Sequence, residues 1–212
     1  MIAKKVTRVL MCRPTYYRVD YAINPHMKPG TSDKDLAMKQ WQDLVSILNQ
    51  LDIKVEVIDQ YEDVPDMVFA TDQGIVKNNV LTIANFRYPE RQKESEYYAK
   101  WFSERGYQIS YLEGGYPFEG GDSLFFNDTL FVGTGYRASV GSCEELSKKL
   151  NTDVIPLRLM DPFFYHLDMS FLPLNSETVF YYPPAISTNS QNILKKLVPN
   201  LVELDKEEIL AY

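Results

Sequence analysis

Short apolar runs alternate with longer amphipathic ones along this 212-residue chain, and the alternation predicts its elements. Residues 7–12 (TRVLMC) read as a buried strand. A polar, proline-bearing loop follows over 13–35, longer than the roughly 12–15 residues usual for a connection without function or motion. Residues 35–50 place Leu36, Trp41, Leu44, Val45 and Leu48 on one helical face. Residues 53–58 (IKVEVI) alternate as a strand does.

From here one order repeats. Residues 74–77 and 80–84 are strands across an Asn-Asn turn, a hairpin signal. A helix follows over 90–105, with Tyr97, Trp101 and Phe102 facing inward, then a strand at 107–111. The order strand, strand, helix, strand returns at 123–126, 129–132, 139–150 and 153–157. It returns again at 170–173, 178–182, 188–198 and 200–204. The hairpin turns near Asn78, Asn127 and Asn175 fall 49 and 48 residues apart, a period that marks a repeat architecture. The chain is therefore read as α/β, with three full ββαβ repeats and a partial N-terminal one lacking a hairpin strand. Residues 205–212 start a short helix with Asp205 as its N-cap. The array is expected to be open, with an unpaired edge.

Composition narrows the class. Lys and Arg number 22 against 29 Asp and Glu, a net charge of −7, which disfavours nucleic acid as a partner. No apolar run reaches the ~18–20 residues of a membrane helix, and the start, MIAKKVTRVLMCRP, is not a secretory signal, so no membrane partner is expected. Two cysteines, Cys12 and Cys143, make no disulfide framework, and a cytoplasmic location is expected.

The candidate chemistry sits before the hairpins. ATDQG (70–74), FEGGD (118–122) and YHLDM (165–169) each open a complete unit. Equivalent turns of successive repeats point to one axis, which would gather Asp72, Glu119, Asp122, His166 and Asp168. EGGD by itself fits an ordinary tight turn, where glycine permits positive φ or close backbone approach. Lone histidines are usually structural, but Asp168 beside His166 suits acid–base work. Asp66 follows Pro65 in a turn. Arg87 and Arg137 each follow the second strand of a hairpin, and either one alone reads as a solvated arginine. No metal-ligand spacing surrounds His26 or His166, and no phosphate loop is present.

In this order and spacing, PDMVFATDQGIV (65–76), PFEGGDSLFF (117–126) and YHLDMSFLPL (165–174) resemble the guanidino-group-modifying (pentein) superfamily. That superfamily includes dimethylarginine dimethylaminohydrolase, arginine deiminase and the amidinotransferases. MCRPTYYRVDYAINPHM (11–27) and FRYPERQKE (86–94) resemble its compact dimethylarginine-hydrolase or arginine-dihydrolase-like members. The resemblance implies a five-bladed ββαβ propeller and one such domain over residues 1–212. It implies that His166 is the general acid/base and Glu119 the carboxylate associated with it. Asp72 and Asp168 would grip a substrate guanidinium, with Asp66 nearby. Arg87 and Arg137 would hold the α-carboxylate, and Asn24 would lie in the loop approaching the ligand. The implied substrate is arginine or a methylated arginine, and no cofactor or metal is implied.

The sequence departs from the family in two places. The family's nucleophile is a cysteine in a Gly-rich segment after the last motif seen here, and this chain ends at Tyr212. Cys12 and Cys143 read as structural. The expectation is a truncated enzyme lacking about one repeat, or one completed by a C-terminal fragment or by self-association. An inactive arginine-binding pseudoenzyme is the alternative. The second departure is Thr71-Asp72, where many of the hydrolases carry Glu-Asp. Some relatives carry Asn at the second position and run a dihydrolase reaction; an arginine dihydrolase or an amidinotransferase is the alternative enzyme.

Overall fold

Four small sheets follow one another along the chain in the computed structural model, which describes residues 6–211. The reading of the extreme N-terminus therefore lies partly outside the described residues. In the first sheet, β1 (Arg8–Arg13) pairs in parallel with β2 (Lys54–Asp59), and α1 (Lys34–Gln50) connects them. The next three sheets share one plan. β3 (Gly74–Lys77) pairs antiparallel with β4 (Val80–Ile83), and β4 pairs in parallel with β5 (Gln108–Ser110) after α2 (Pro89–Gln92) and α3 (Glu94–Ser103). β6 (Ser123–Phe126), β7 (Thr129–Thr134), α4 (Val140–Leu150) and β8 (Val154–Arg158) repeat it. So do β9 (Phe171–Pro173), β10 (Thr178–Tyr181), α5 (Thr188–Leu197) and β11 (Asn200–Glu203). A short α6 (Lys206–Leu210) follows, opened by a reciprocal capping box between Asp205 and Glu208.

Local chemistry explains the turns and caps. Asn78 and Asn79 both hold positive φ, at 50° and 63°, as the two-residue turn of a twisted hairpin requires. Asn175 makes its turn differently, accepting the backbone N–H groups of Glu177 and Thr178. Asp33, Ser139 and Ser187 cap α1, α4 and α5 by accepting N–H groups of the first turn.

Apolar faces are buried between successive units. Cys12 and Ile58 of the first sheet pack with Met67, Leu81, Tyr98 and Phe102 of the second unit. Ile75 packs with Phe118, Leu130, Val132 and Leu146 of the third. Phe126, Phe131 and Leu157 of the third pack with Phe171, Val179, Tyr181 and Leu194 of the fourth. Each such side chain contributes on the order of 1.5–3 kcal/mol by leaving water.

Two helices differ from expectation. None of α1 is buried, and Leu36 and Leu44 of its apolar stripe stay about half exposed, at 50% and 47%. Of that stripe Trp41, Val45 and Leu48 are partly covered, and the first sheet offers the helix two strands. The helix expected over 90–105 is divided at Lys93 into α2 and α3. Its inward face carries Arg91, Glu94, Tyr98, Ala99 and Phe102, while Tyr97 and Trp101 are only half-buried. Among the described residues no helix is long and apolar enough to cross a membrane.

Candidate functional site

The short turns that open the three hairpins meet in one place. They are 65–68 and 70–73 before β3, 120–122 before β6, and 167–169 before β9. Gly120 and Gly121 permit the meeting by lacking side chains rather than by adopting positive φ. A Cβ on Gly120 would lie 2.0 Å from the Thr71 carbonyl oxygen, and one on Gly121 would lie 2.6 Å from Asp72 Oδ1. The same Cβ on Gly121 would stand 3.2 Å from both Asp168 Oδ2 and the His166 ring. The EGGD turn is therefore the floor against which the other two turns pack.

His166 lies at the centre, 4% exposed. Its Nδ1 is 3.3 Å from Asp122 Oδ1, and its Nε2 is 3.5 Å from Glu119 Oε2 and 3.6 Å from Asp72 Oδ1. These are ionic contacts rather than aligned hydrogen bonds: both ring nitrogens, both Asp122 oxygens and Glu119 Oε1 are buried without a hydrogen-bond partner. Burial pulls the imidazole pKa down, but Asp122, Asp72 and Glu119 outweigh it and raise the pKa to about 9. Burial lifts Asp122 to about 6, against the pull of His166. Asp72 is also opposed by burial, yet His166 and Arg91 bring it below the ordinary carboxylate range.

Asp168 faces open solvent on one side and the acids on the other. Desolvation by the surrounding protein raises it to about 7; His166 opposes the rise, and Asp72 and Asp122 add to it. Its nearness does not make it the partner of His166. The two-residue step through the 167–169 turn carries the Asp168 carboxylate to the open side, and Asp122 takes the ring nitrogen.

Two buried arginines back the acids. Arg91 donates from Nη1 to Asp72 Oδ2 at 2.7 Å, and from Nε and Nη2 to the two oxygens of Glu94 at 2.9 and 2.8 Å. Its guanidinium lies 4.5 Å over the Phe86 ring. Arg137 donates to Glu119 Oε2 at 2.9 Å and lies between the rings of Tyr88 and Tyr165, at 4.6 and 4.7 Å. Six acids (Asp66, Asp72, Glu94, Glu119, Asp122 and Asp168) thus face three cationic side chains, and the excess negative charge suits a cationic ligand.

The loop between β1 and α1 crosses this cluster. Tyr21 donates to Asp66 Oδ2 at 3.0 Å, Asn24 to the Tyr165 hydroxyl at 3.2 Å, and His26 Nε2 lies 2.8 Å from the Phe163 carbonyl oxygen. Arg137 also donates to the Ile23 carbonyl at 3.2 Å. Asp66 is buried beneath this loop, with Oδ1 unpartnered.

The structure thus brings Asp66, Asp72, Glu119, His166, Asp168, Arg137 and Asn24 into one neighbourhood. Arg87 stands outside the acids: it is exposed and donates to the Tyr136 carbonyl at 2.8 Å. Sequence reasoning missed Arg91 and Glu94. Their signal was present, since residues 91, 94, 98 and 102 share one helical face, but two charges on that face read as solvent-exposed.

Atoms of Asp72, Glu119 and His166 lie within 4.8 Å of one another, close enough to hold one small cation. The chemistry disfavours a metal, because the imidazole is held protonated and two guanidiniums already lean on the carboxylates. Cys12 and Cys143 are buried, and burial raises their thiols to about 12 and about 11.

A family profile described as N,N dimethylarginine dimethylhydrolase, eukaryotic, matches residues 19–211. The chain is 37% identical over 209 residues to the bifunctional arginine dihydrolase/ornithine cyclodeaminase ArgZ of Synechocystis, covering 96% of this chain but 30% of ArgZ. It is 33% identical over 210 residues to the N(G),N(G)-dimethylarginine dimethylaminohydrolase of Mycobacterium tuberculosis, covering 98% of this chain and 69% of that protein. The crystal structure of the ArgZ N-terminal domain, a cysteine-to-serine mutant bound to substrate, superposes with a TM-score of 0.92 at 34% identity, covering 96% of this chain and 77% of that one.

Proposed function

Because the chain belongs to the dimethylarginine dimethylhydrolase family of guanidino-group-modifying proteins, we propose that it forms most of a hydrolase site for arginine or a methylated arginine. The carrying observation is His166 held among Asp72, Glu119 and Asp122, with Asp168 at the open side. A guanidinium is a planar cation with donors only, so it needs several acceptors at fixed angles. Asp72 and Asp168 are our assignments for that grip, and Asp66 takes a second donor of the ligand. The chain's three ββαβ units and its two-stranded first sheet would then be part of the family's propeller.

In this reading a thiolate attacks the guanidinium carbon and the C–N bond to the departing amine breaks. His166 supplies the amine's proton, and the neutral imidazole then takes a proton from the water that releases the product. Glu119 steadies the imidazolium and the substrate cation. Cys12 and Cys143 are unsuited to be that thiolate, so the reading assigns the nucleophile to residues other than these 212. Arg137 and Arg87 are candidates for the α-carboxylate, under the loop carrying Asn24.

Between substrates, Asp72 in place of the Asn of some dihydrolase relatives favours single-step hydrolysis. The test is turnover of L-arginine and of asymmetric dimethylarginine by the full-length gene product, reading citrulline and ornithine. Citrulline without ornithine supports the reading, ornithine points to a dihydrolase, and neither product with either substrate refutes hydrolysis. Arginine-dependent stabilisation without any product would mark a binding protein instead.

A further inference from the structure

Glu94 is a buried acid that the proposed reaction does not use. It is fully inaccessible at 0% exposure and stands in the first turn of α3. Burial raises its pKa, and the contacts with Arg91 and Gln73 work against that rise. Its two oxygens take the Nε–Nη2 edge of Arg91 side-on, and Oε2 also accepts from Gln73 at 2.7 Å. One consequence is geometric. With that edge clamped, Nη1 is the remaining nitrogen, and it points to Asp72 Oδ2 at 2.7 Å and Glu119 Oε2 at 3.8 Å. Asp72 is thereby tied by Oδ2, and its Oδ1 faces His166.

We propose that Glu94 is a positioning residue for the site: by gripping one edge of Arg91 it limits the cationic reach of that arginine to Nη1, and so presents Asp72 to the imidazole and to a cationic ligand through Oδ1. The electrostatic effect has a definite sign. Glu94 shares the Arg91 charge with Asp72, taking its part through a bidentate pair. Without it, the guanidinium is balanced only by Asp72 and Glu119, and leans onto them. These two also hold the proton on His166, together with Asp122, so a freed Arg91 cancels part of their pull.

The two-histidine composition makes this measurable in the ligand-free chain, because His26 and His166 are the only imidazoles. In Glu94→Gln, which keeps shape and an acceptor for Gln73, the His166 titration midpoint followed by NMR should fall by about one pH unit. Glu94→Asp keeps the charge but is too short for both nitrogens, and should give a smaller shift in the same direction. A folded Glu94→Gln with an unmoved His166 midpoint overturns the proposal; a merely structural role would lower the melting temperature and leave the midpoint in place. If Glu94→Gln does not fold, Glu94→Asp decides by the same criterion, and failure of both to fold assigns Glu94 to the core and ends the proposal. The ligand arm rests on the guanidine reading: L-arginine should bind Glu94→Gln about tenfold more weakly than wild type, matching one unit of pKa. If wild type binds no L-arginine, that reading fails while the histidine titration still judges Glu94.

Discussion

Asp122 Oδ1 lies 3.3 Å from Nδ1 of His166, with both side chains sealed from solvent. A carboxylate on one ring nitrogen and two more near the other make this imidazole a proton reservoir. The pair couples the stability of the fold to the same proton that the proposed chemistry would move.

Stability should therefore fall as the pH rises through neutrality. His166 is raised from 6.5 to about 9, so its contribution is complete below pH 6.5 and is lost as the pH passes through about 9. Asp122 and Asp168, raised from 3.8 to about 6 and about 7, act in the same direction between pH 4 and 7, because the folded state favours their neutral forms. Calorimetry should show a higher Tm at about pH 6 than at about pH 9. Asp122→Asn should flatten the upper part of that decline. A Tm that climbs between those two pH values would contradict the assignment.

Binding should run the opposite way. A cationic guanidine needs ionised acceptors, and Asp168 is half-protonated at about pH 7 in the empty site. L-arginine affinity should weaken by up to about tenfold per pH unit below that value. Isothermal titration in buffers of different ionisation enthalpy should report proton release on binding. Asp168→Asn should abolish both the pH dependence and most of the affinity.

The two glycines of the EGGD turn should fail differently when changed to alanine. At Gly121 the new methyl meets side chains, Asp72 Oδ1 at 2.6 Å and His166 Cγ at 3.2 Å, which can shift. Gly121→Ala should fold with a loss of about 1–3 kcal/mol and no arginine binding. At Gly120 the methyl meets main-chain oxygens, those of Thr71 at 2.0 Å and Gly74 at 2.8 Å. Gly120→Ala should therefore be the more destabilised of the two by chemical denaturation.

Both thiols should be silent in the native chain. With values near 11 and 12, only about one thiol in a thousand or fewer is ionised at pH 8. A disulfide reagent should react with neither until denaturant is added, and then with two. Cys12→Ser combined with Cys143→Ser should leave arginine binding unchanged; loss of a thiol-dependent burst in either single variant would reinstate that cysteine as a nucleophile.

The order of elements is legible in the sequence alone, because period-two and helical patterns, asparagine turns and Ser or Asp caps are local signals. The same periodicity brings Asp72, Glu119, Asp122, His166 and Asp168 to a common axis, since equivalent turns of a repeat must face the same way. Local patterns do not say how the acids divide the work. Asp168 is nearest His166 in sequence, yet Asp122 takes its ring nitrogen, because the turn after His166 points Asp168 outward.

Arg91 and Glu94 depend even more on packing between units. On a helix seen alone, a charged pair three residues apart belongs on the solvent side. Their burial follows from Asp72 and Gln73, about twenty residues earlier in the chain, which supply the compensating charge and hydrogen bond. Arg87 carries the same charge but lies ahead of α2, where it donates to a backbone carbonyl and stays in water. Periodicity along the chain thus settles which residues lie on which side of an element. Which charges are buried depends on partners distant in sequence, and those become neighbours only when the repeats pack.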